Sequence, residues 1–209
     1  MDSILPNGYK QLKCIISEAQ PNNSENLVFE YVFSYSAKDT IEIKYRPIEN
    51  IFTKASNPSP YFYDDGYIDL RRPNTDVFFT NYFNIRLGSN NARVQIGSSS
   101  SYEEKYYKLK AYTDNENYTH LSVDDTDVYV NFYSDYESNQ FNLCGNPSDA
   151  SRYAFGCYEY FKITDYNSNE LKLDWIPALE EATGIAGFFD IVNNKFVAPS
   201  QGVAGYENL

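Results

Sequence analysis

Through one short run after another, hydrophobic residues recur at every second position, and that period restricts the possible folds more than any other feature of the chain. "NLVFEYVFSY" (26–35) sets Leu27, Phe29, Tyr31, Phe33 and Tyr35 on one face. "DTIEIKYRP" (39–47) alternates Ile41, Ile43 and Tyr45 with Glu42, Lys44 and Arg46, and "KYYKLKAYT" (105–113) opposes Tyr107, Leu109 and Ala111 to Lys108, Lys110 and Tyr112. "DVYVNFY" (127–133) aligns Val128, Val130 and Phe132. "FGCYEYFKIT" (155–164) aligns Phe155, Cys157, Glu159, Phe161 and Ile163, and "ELKLDWIPA" (170–178) aligns Leu171, Leu173 and Trp175. Side chains alternate between the two faces of a strand, so this pattern predicts an all-β chain folded as an antiparallel β-sandwich or barrel.

The punctuation agrees. "TDNENY" (113–118), "VDDTD" (123–127), "DYNSNE" (165–170) and "VNNK" (192–195) carry the Asn and Asp residues of hairpin turns. "KASNPSPYFYDDGY" (54–67) and "GSSSSYEE" (97–104), rich in Pro, Ser and Gly, read as loops. Only "PALEEATG" (177–184) is a candidate for a single helical turn. No repeat or linker divides the 209 residues, so the expectation is one sandwich domain over 1–209.

The formal net charge is −12, with only 17 Lys and Arg residues. Binding to nucleic acid needs clustered cations for the phosphates, and an anionic membrane surface needs them too, so neither is an expected partner. No apolar run spans a bilayer, and "MDSILPNGYK" has neither the basic start nor the apolar stretch of a signal peptide; the expectation is a soluble protein made in a cytoplasm. Aromatic residues make up 17% of the chain, 21 Tyr and 14 Phe with a single Trp. They favour strands and supply large buried area, and Trp175 is expected in the core.

Reactive chemistry is sparse. Cys14, Cys144 and Cys157 form neither a disulfide framework nor a zinc pattern, and they read as small buried residues, although Cys144 and Cys157 could face each other on neighbouring strands. His120, the single histidine, lies in an alternating run and reads as structural or exposed rather than as a general base. The acid pairs Asp64–Asp65, Glu103–Glu104, Asp124–Asp125 and Glu180–Glu181 are adjacent, so on strands they would point to opposite faces, whereas a glycosidase needs its carboxylates together. "DDGYID" (64–69) and "DDTD" (124–127) offer hard oxygen atoms to a surface calcium, without the spacing of a calcium loop. The reading is a non-enzymatic chain with no catalytic residues, cofactor or metal.

Both ends carry a resemblance. "LPNGYKQLKCIIS" (5–17) is similar to the opening LP-x-GY-x-x-L-x-x-I-x-S of a large group of concanavalin-like, laminin-G-like jelly-roll domains found in tailed-phage virion proteins and in prophage and gut-bacterial surface proteins. Residues 141–202 resemble the same group: an aromatic strand ending K-I-x-D, a D-W-I-P strand, a Gly-containing turn, and "GFFDIVNNKF" before a Gly-rich stretch. "YKLKAYTDNENYTHLSVDDTDVYV" (107–130) resembles the preceding hairpin. Residues 20–100 match poorly, and the usual Y-I-D-T-G after the opening is replaced by "EAQPNNSENL". The resemblance implies a jelly-roll sandwich in which segments 1–17 and 184–202 pack together. In it "FFDIVNNKFV" forms the last hairpin, Phe188, Phe189, Ile191, Phe196 and Val197 include the residues that cap the core, and Asp190, Asn193 and Asn194 are structural.

Jelly rolls host several functions. The resemblance implies a structural virion protein of a tailed phage, an accessory capsid-decorating or head-fibre subunit made in the bacterial host. Its partners would be capsid or other virion proteins, with a homo-oligomer such as a trimer as a natural form. The alternative is a lectin-like module for surface glycans, with Tyr61, Phe62, Tyr63, Tyr133 and Tyr136 as candidate contacts for glycan or partner. A glycosidase or lyase on the same fold is the weakest reading, for want of paired acids.

Overall fold

A computed structural model describes residues 4–18, 26–36, 38–48, 61–64, 68–71, 82–87, 90–95, 97–98, 101–102, 105–116, 118–131, 137–145 and 155–209. In chain order the strands are β1 (Tyr9–Ser17), β2 (Phe29–Ser36), β3 (Asp39–Pro47), β4 (Tyr61–Asp64), β5 (Ile68–Arg71), β6 (Tyr82–Leu87), β7 (Asn90–Gln95), β8 (Gly97–Ser98) and β9 (Ser101–Tyr102). They continue as β10 (Tyr107–Thr113), β11 (Tyr118–Val123), β12 (Thr126–Asn131), β13 (Glu137–Leu143), β14 (Gly156–Asp165), β15 (Leu171–Glu180), β16 (Ile185–Asp190), β17 (Lys195–Val197) and β18 (Gly205–Asn208). From β4 to β9 the backbone and the Val94 side chain are described.

Among the described residues there is no helix, and the strands form two antiparallel sheets and a small hairpin, β8–β9. The larger sheet runs β12-β11-β10-β3-β14-β1-β15-β16-β17, with β18 also paired to β1; the smaller runs β2-β13-β4-β5-β6-β7. They face each other across one apolar core. The larger sheet supplies Ile41, Ile43, Leu109, Leu121, Phe161, Ile163, Leu173, Trp175 and Phe188, and the smaller supplies Phe29, Tyr31, Val94, Phe141 and Leu143. This is the antiparallel sandwich that the alternation predicts, and Trp175 is fully buried at its centre.

A fork in the larger sheet joins the beginning of the chain to its later strands. β14 and β15 pair beside their turn, from Phe161↔Trp175 to Thr164↔Leu171, and then part. β1 enters the gap, pairing Ile15–Ser17 with Gly156–Tyr158 and Tyr9–Gln11 with Ala178–Glu180. Pro177 falls in the register interval where β15 has left β14 after Trp175 and has not yet met β1 at Ala178. A residue without an N–H fits the one stretch of this strand where a ladder partner is missing on that edge. β18 pairs with β1 through Leu12–Ile16, so the two terminal segments lie side by side.

The last hairpin packs on both faces rather than on one. Phe188 and Val197 enter the main core, whereas Phe189 and Phe196 turn to the opposite face under Leu5 and Tyr9. The Tyr9 ring lies 4.9 Å from that of Phe189 and 5.3 Å from that of Phe196. Ile191 sits exposed in the turn and caps nothing. Asp190 and the Asn pair are structural: the Asp190 carboxylate accepts the backbone N–H groups of Val192 and Asn193 and the Asn193 side-chain amide, and Asn194 takes a left-handed φ of 50°.

Four expectations need correction. β14 shifts register against β3 between Tyr158 and Tyr160, and this bulge reverses the phase of alternation. Tyr158 therefore joins Phe161 and Ile163 in the core, Glu159 turns outward to an ion pair with Lys44, and Cys157 turns outward beside Arg46. Phe155 packs with Val28 and Ile48 in a separate small cluster. Cys144 lies in the main core, so its sulfur and that of Cys157 are on opposite faces; the neighbour of Cys157 is Cys14. "PALEEATG" is strand to Glu180 and then a tight turn closed by Gly184 at φ 70°, not a helical turn. Finally, the two expected loops contain strands: Tyr61–Asp64 is an inner strand between β13 and β5, and Gly97–Ser98 pairs with Ser101–Tyr102, while the rest of both stretches lies outside the described residues.

Candidate recognition surface

The outer face of the larger sheet, turned away from the core, carries aromatic and ionisable side chains in rows that cross the strands. Hairpin turns set this register. Asp114 accepts the backbone N–H groups of Glu116 and Tyr118, and Asp124, at φ 51°, accepts the backbone N–H of Lys108. Tyr112 then stands opposite His120, and His120 opposite Tyr129.

The first row is a ladder of rings. His120 stacks on Tyr112 with centroids 4.7 Å apart and planes 4° from parallel, and Tyr166, from the β14–β15 turn, stacks on Tyr112 at 5.3 Å and 11°. Tyr129 lies 5.7 Å beyond His120, with Tyr118 edge-on to it at 5.1 Å. The imidazole is clamped: Nδ1 is 2.7 Å from Asp127 Oδ2 and Nε2 is 3.1 Å from Asp114 Oδ2. Ionised carboxylates only accept, so it is the protonated ring, donating from both nitrogens, that satisfies both partners. Burial pulls its pKa down, but the bonds to Asp127 and Asp114 outweigh that and hold it above the ordinary value. A histidine engaged at both nitrogens holds this surface together, as expected of a structural residue.

The second row alternates charge, with Lys110 opposite Glu42, Glu42 opposite Lys162, and Lys162 opposite Asp174. Lys162 Nζ is 3.1 Å from Asp174, Lys108 Nζ is 3.1 Å from Glu42, and the Tyr160 hydroxyl donates to Glu42 at 2.8 Å. Burial, followed by that bond, pushes the Tyr160 phenol well up, so it stays a neutral donor. Nearby, the turn "DYNSNE" uses its Asp165 carboxylate to accept the N–H groups of Asn167 and Ser168 and the Ser168 hydroxyl, with Asn169 at φ 57°: a hairpin turn, as its sequence suggests.

The contacts proposed from sequence are placed less fully. Tyr61, Phe62 and Tyr63 lie on β4, paired to β13 through Tyr63 and to β5 through Tyr61 and Tyr63; their side chains fall outside the description. Tyr133 and Tyr136 lie outside the described residues. The ring ladder was overlooked in the sequence, yet its signal is present: Tyr112, His120 and Tyr129 all sit at off-core phases of strands whose turns fix their pairing.

No family model matches the sequence, and no curated protein matches it. The fold is similar to that of the native heptameric SAP-like pentraxin from Limulus polyphemus, with a TM-score of 0.58 over 99% of this chain and 98% of that chain at 7% identity. It is also similar to part of the full extracellular region of zebrafish Gpr126/Adgrg6, with a TM-score of 0.55 over 94% of this chain and 26% of that chain at 8% identity. At such identities the likeness is one of architecture, and by architecture the chain is a concanavalin-like, laminin-G-like jelly-roll sandwich.

Proposed function

We propose that the chain is a non-enzymatic structural protein of a tailed-phage virion, an accessory subunit that decorates the capsid or forms a head fibre and acts through protein–protein contacts. The observation that carries this reading is the outer face of the larger sheet, where tyrosines and paired charges are held in fixed rows before any partner arrives. Tyrosine offers large contact area with a polar tip, and a surface ordered in advance loses little side-chain freedom on docking. His120, Asp165 and Asp190 are engaged in holding this surface and its turns. The resemblance of segments 5–17 and 107–202 to virion jelly rolls supplies the setting. Symmetric contacts, either in a homotrimer or against a symmetric shell, suit such a subunit. The test is co-sedimentation: purified chain should bind particles lacking it until a fixed stoichiometry is reached, and failure to bind any virion part would contradict the proposal.

A second reading, recognition of a surface glycan, draws on Tyr129. Its side chain is 61% exposed, at the end of the ladder and beside the Asp127–His120 pair. An open ring with polar neighbours suits stacking against a sugar face. Saturable binding on a glycan array that is lost in Tyr129→Ala would favour this reading.

A further inference from the structure

We propose that Cys14 and Cys157 form an oxidisable dithiol site, which a peroxide converts to an intrachain disulfide tying β1 to β14. Cys157 stands opposite Ile16 in the β1–β14 pairing, and Cys14 lies two residues along β1. The two sulfurs and a Glu207 carboxylate oxygen all lie within 4.8 Å of one another. Both cysteines are free and fully buried, on the face of the larger sheet away from the core.

Their surroundings favour a thiolate over a metal. Arg46, opposite Cys157 on β3, donates from Nη2 to Cys157 Sγ at 2.9 Å and to Glu207 Oε1 at 3.2 Å. Lys13 Nζ holds the other oxygen, Glu207 Oε2, at 2.6 Å. A cation entering between Cys157 and Glu207 would therefore have to displace the guanidinium that already bridges those two. One negative charge held by the two hydrogen-bonded sulfurs is stabilised by this guanidinium on Cys157, and a thiolate is the nucleophile of sulfur redox chemistry. The hydrogen bond from Cys157 lowers the Cys14 thiol to about 7 against the opposing effect of burial, and the same bond, with burial, pushes Cys157 up. Cys144 is an internal control, because burial in the apolar core pushes its thiol far up and leaves it inert.

The reaction balances. One sulfur of the pair, as thiolate, attacks one peroxide oxygen, the O–O bond breaks, and the departing hydroxide takes a proton to become water, leaving a sulfenic acid. The other thiol gives up its proton and attacks that sulfur, the S–O bond breaks, and a second water leaves. Two thiols and one hydrogen peroxide yield one disulfide and two waters, and the two electrons pass from sulfur to peroxide. Cys14 is diagonal to Cys157 across the two strands, so a small shift of β1 accompanies the side-chain rotation that brings the sulfurs to about 2.05 Å. The Lys13–Glu207 pair between β1 and the short strand β18 is half exposed, so its opening gives the oxidant a path.

The experiment exposes the reduced, full-length chain to hydrogen peroxide, alkylates remaining thiols in denaturant and maps peptides by mass spectrometry. The expected result is a loss of two hydrogens, a cross-linked peptide pair containing Cys14 and Cys157, and an alkylated Cys144. Melting should rise by several degrees and return with dithiothreitol; the shift should vanish in Cys14→Ser and Cys157→Ser but persist in Cys144→Ser. Thiols that both stay free, stop at sulfinic acid without a cross-link, or retain a stoichiometric zinc ion released by Cys157→Ser would overturn the proposal. If the serine variants fail to fold, the wild-type peptide map decides alone.

Discussion

The Trp175 indole lies stacked on the Phe188 ring, with centroids 5.4 Å apart and planes 26° from parallel, at the centre of a cluster that joins the two sheets. Tyr31 meets the indole edge-on at 4.9 Å, and Phe141 and Phe161 each sit 5.5 Å away. Truncation to Ala would leave a cavity between rings contributed by both sheets, at a cost of about 3–5 kcal/mol. Trp175 is also the single tryptophan, so its fluorescence reports on this core alone. Native emission should be blue-shifted and move red in one cooperative step in urea; an unchanged midpoint for Trp175→Ala would refute this placement.

The His120 clamp makes stability depend on pH in a defined direction. Its folded pKa lies above the unfolded value of 6.5, so its contribution is complete below that value and fades as pH rises through the folded pKa. Asp114 sets the acid limit. Burial pushes its pKa up, but the bonds from Tyr118, His120 and Glu116 outweigh that and lower it below 3.8, so its contribution is lost as pH falls through the lowered value. Urea titrations of wild type and His120→Gln should differ by about 0.5–1 kcal/mol near pH 6, allowing for solvent screening. The difference should shrink above neutral pH; a constant difference from pH 5 to 9 would show that the clamp does not titrate.

Asp190 is fully buried, and its carboxylate collects N–H groups from the Val192 and Asn193 backbone, the Asn193 side chain and, at 3.4 Å, the Asp174 backbone. Asp190→Ala leaves those donors unpaired and should cost about 3 kcal/mol, with the last hairpin the first to lose hydrogen-exchange protection. Uniform exchange across the sheet would contradict that local role.

Local periodicity was the legible part of the sequence. Ile41, Ile43 and Tyr45 on β3, with Leu109 and Ala111 on β10, are buried as the alternation requires, because a regular strand offers its faces strictly in turn. The Asn and Asp turns were equally plain, since one carboxylate closing its own turn is a short-range matter. The bulge in β14 was hidden because it depends on how that strand meets β3, and it exchanged Tyr158 for Cys157 as the inward residue. β4 escaped notice because Pro58 and Pro60 precede it and suggest a loop. The ring ladder needed two hairpin registers at once, and the Cys14–Cys157 approach needed the fork that brings β1 into a gap between later strands.

If the outer face of the larger sheet is the contact surface, its exposed end can be changed without harming the core. Tyr129→Ala should leave melting nearly unchanged, because the ring is mostly open to solvent, yet weaken binding to particles several-fold. Equal particle binding by wild type and variant would move the contact to another face.

The most direct measurement of the virion proposal is a copy count: quantitative mass spectrometry of phage particles purified from the source of this chain, referenced to their main shell protein. The expected result is a copy number comparable to the shell for a capsid decoration, or a small fixed number for a fibre. Complete absence from the particles would contradict the virion assignment and leave glycan recognition as the reading to pursue.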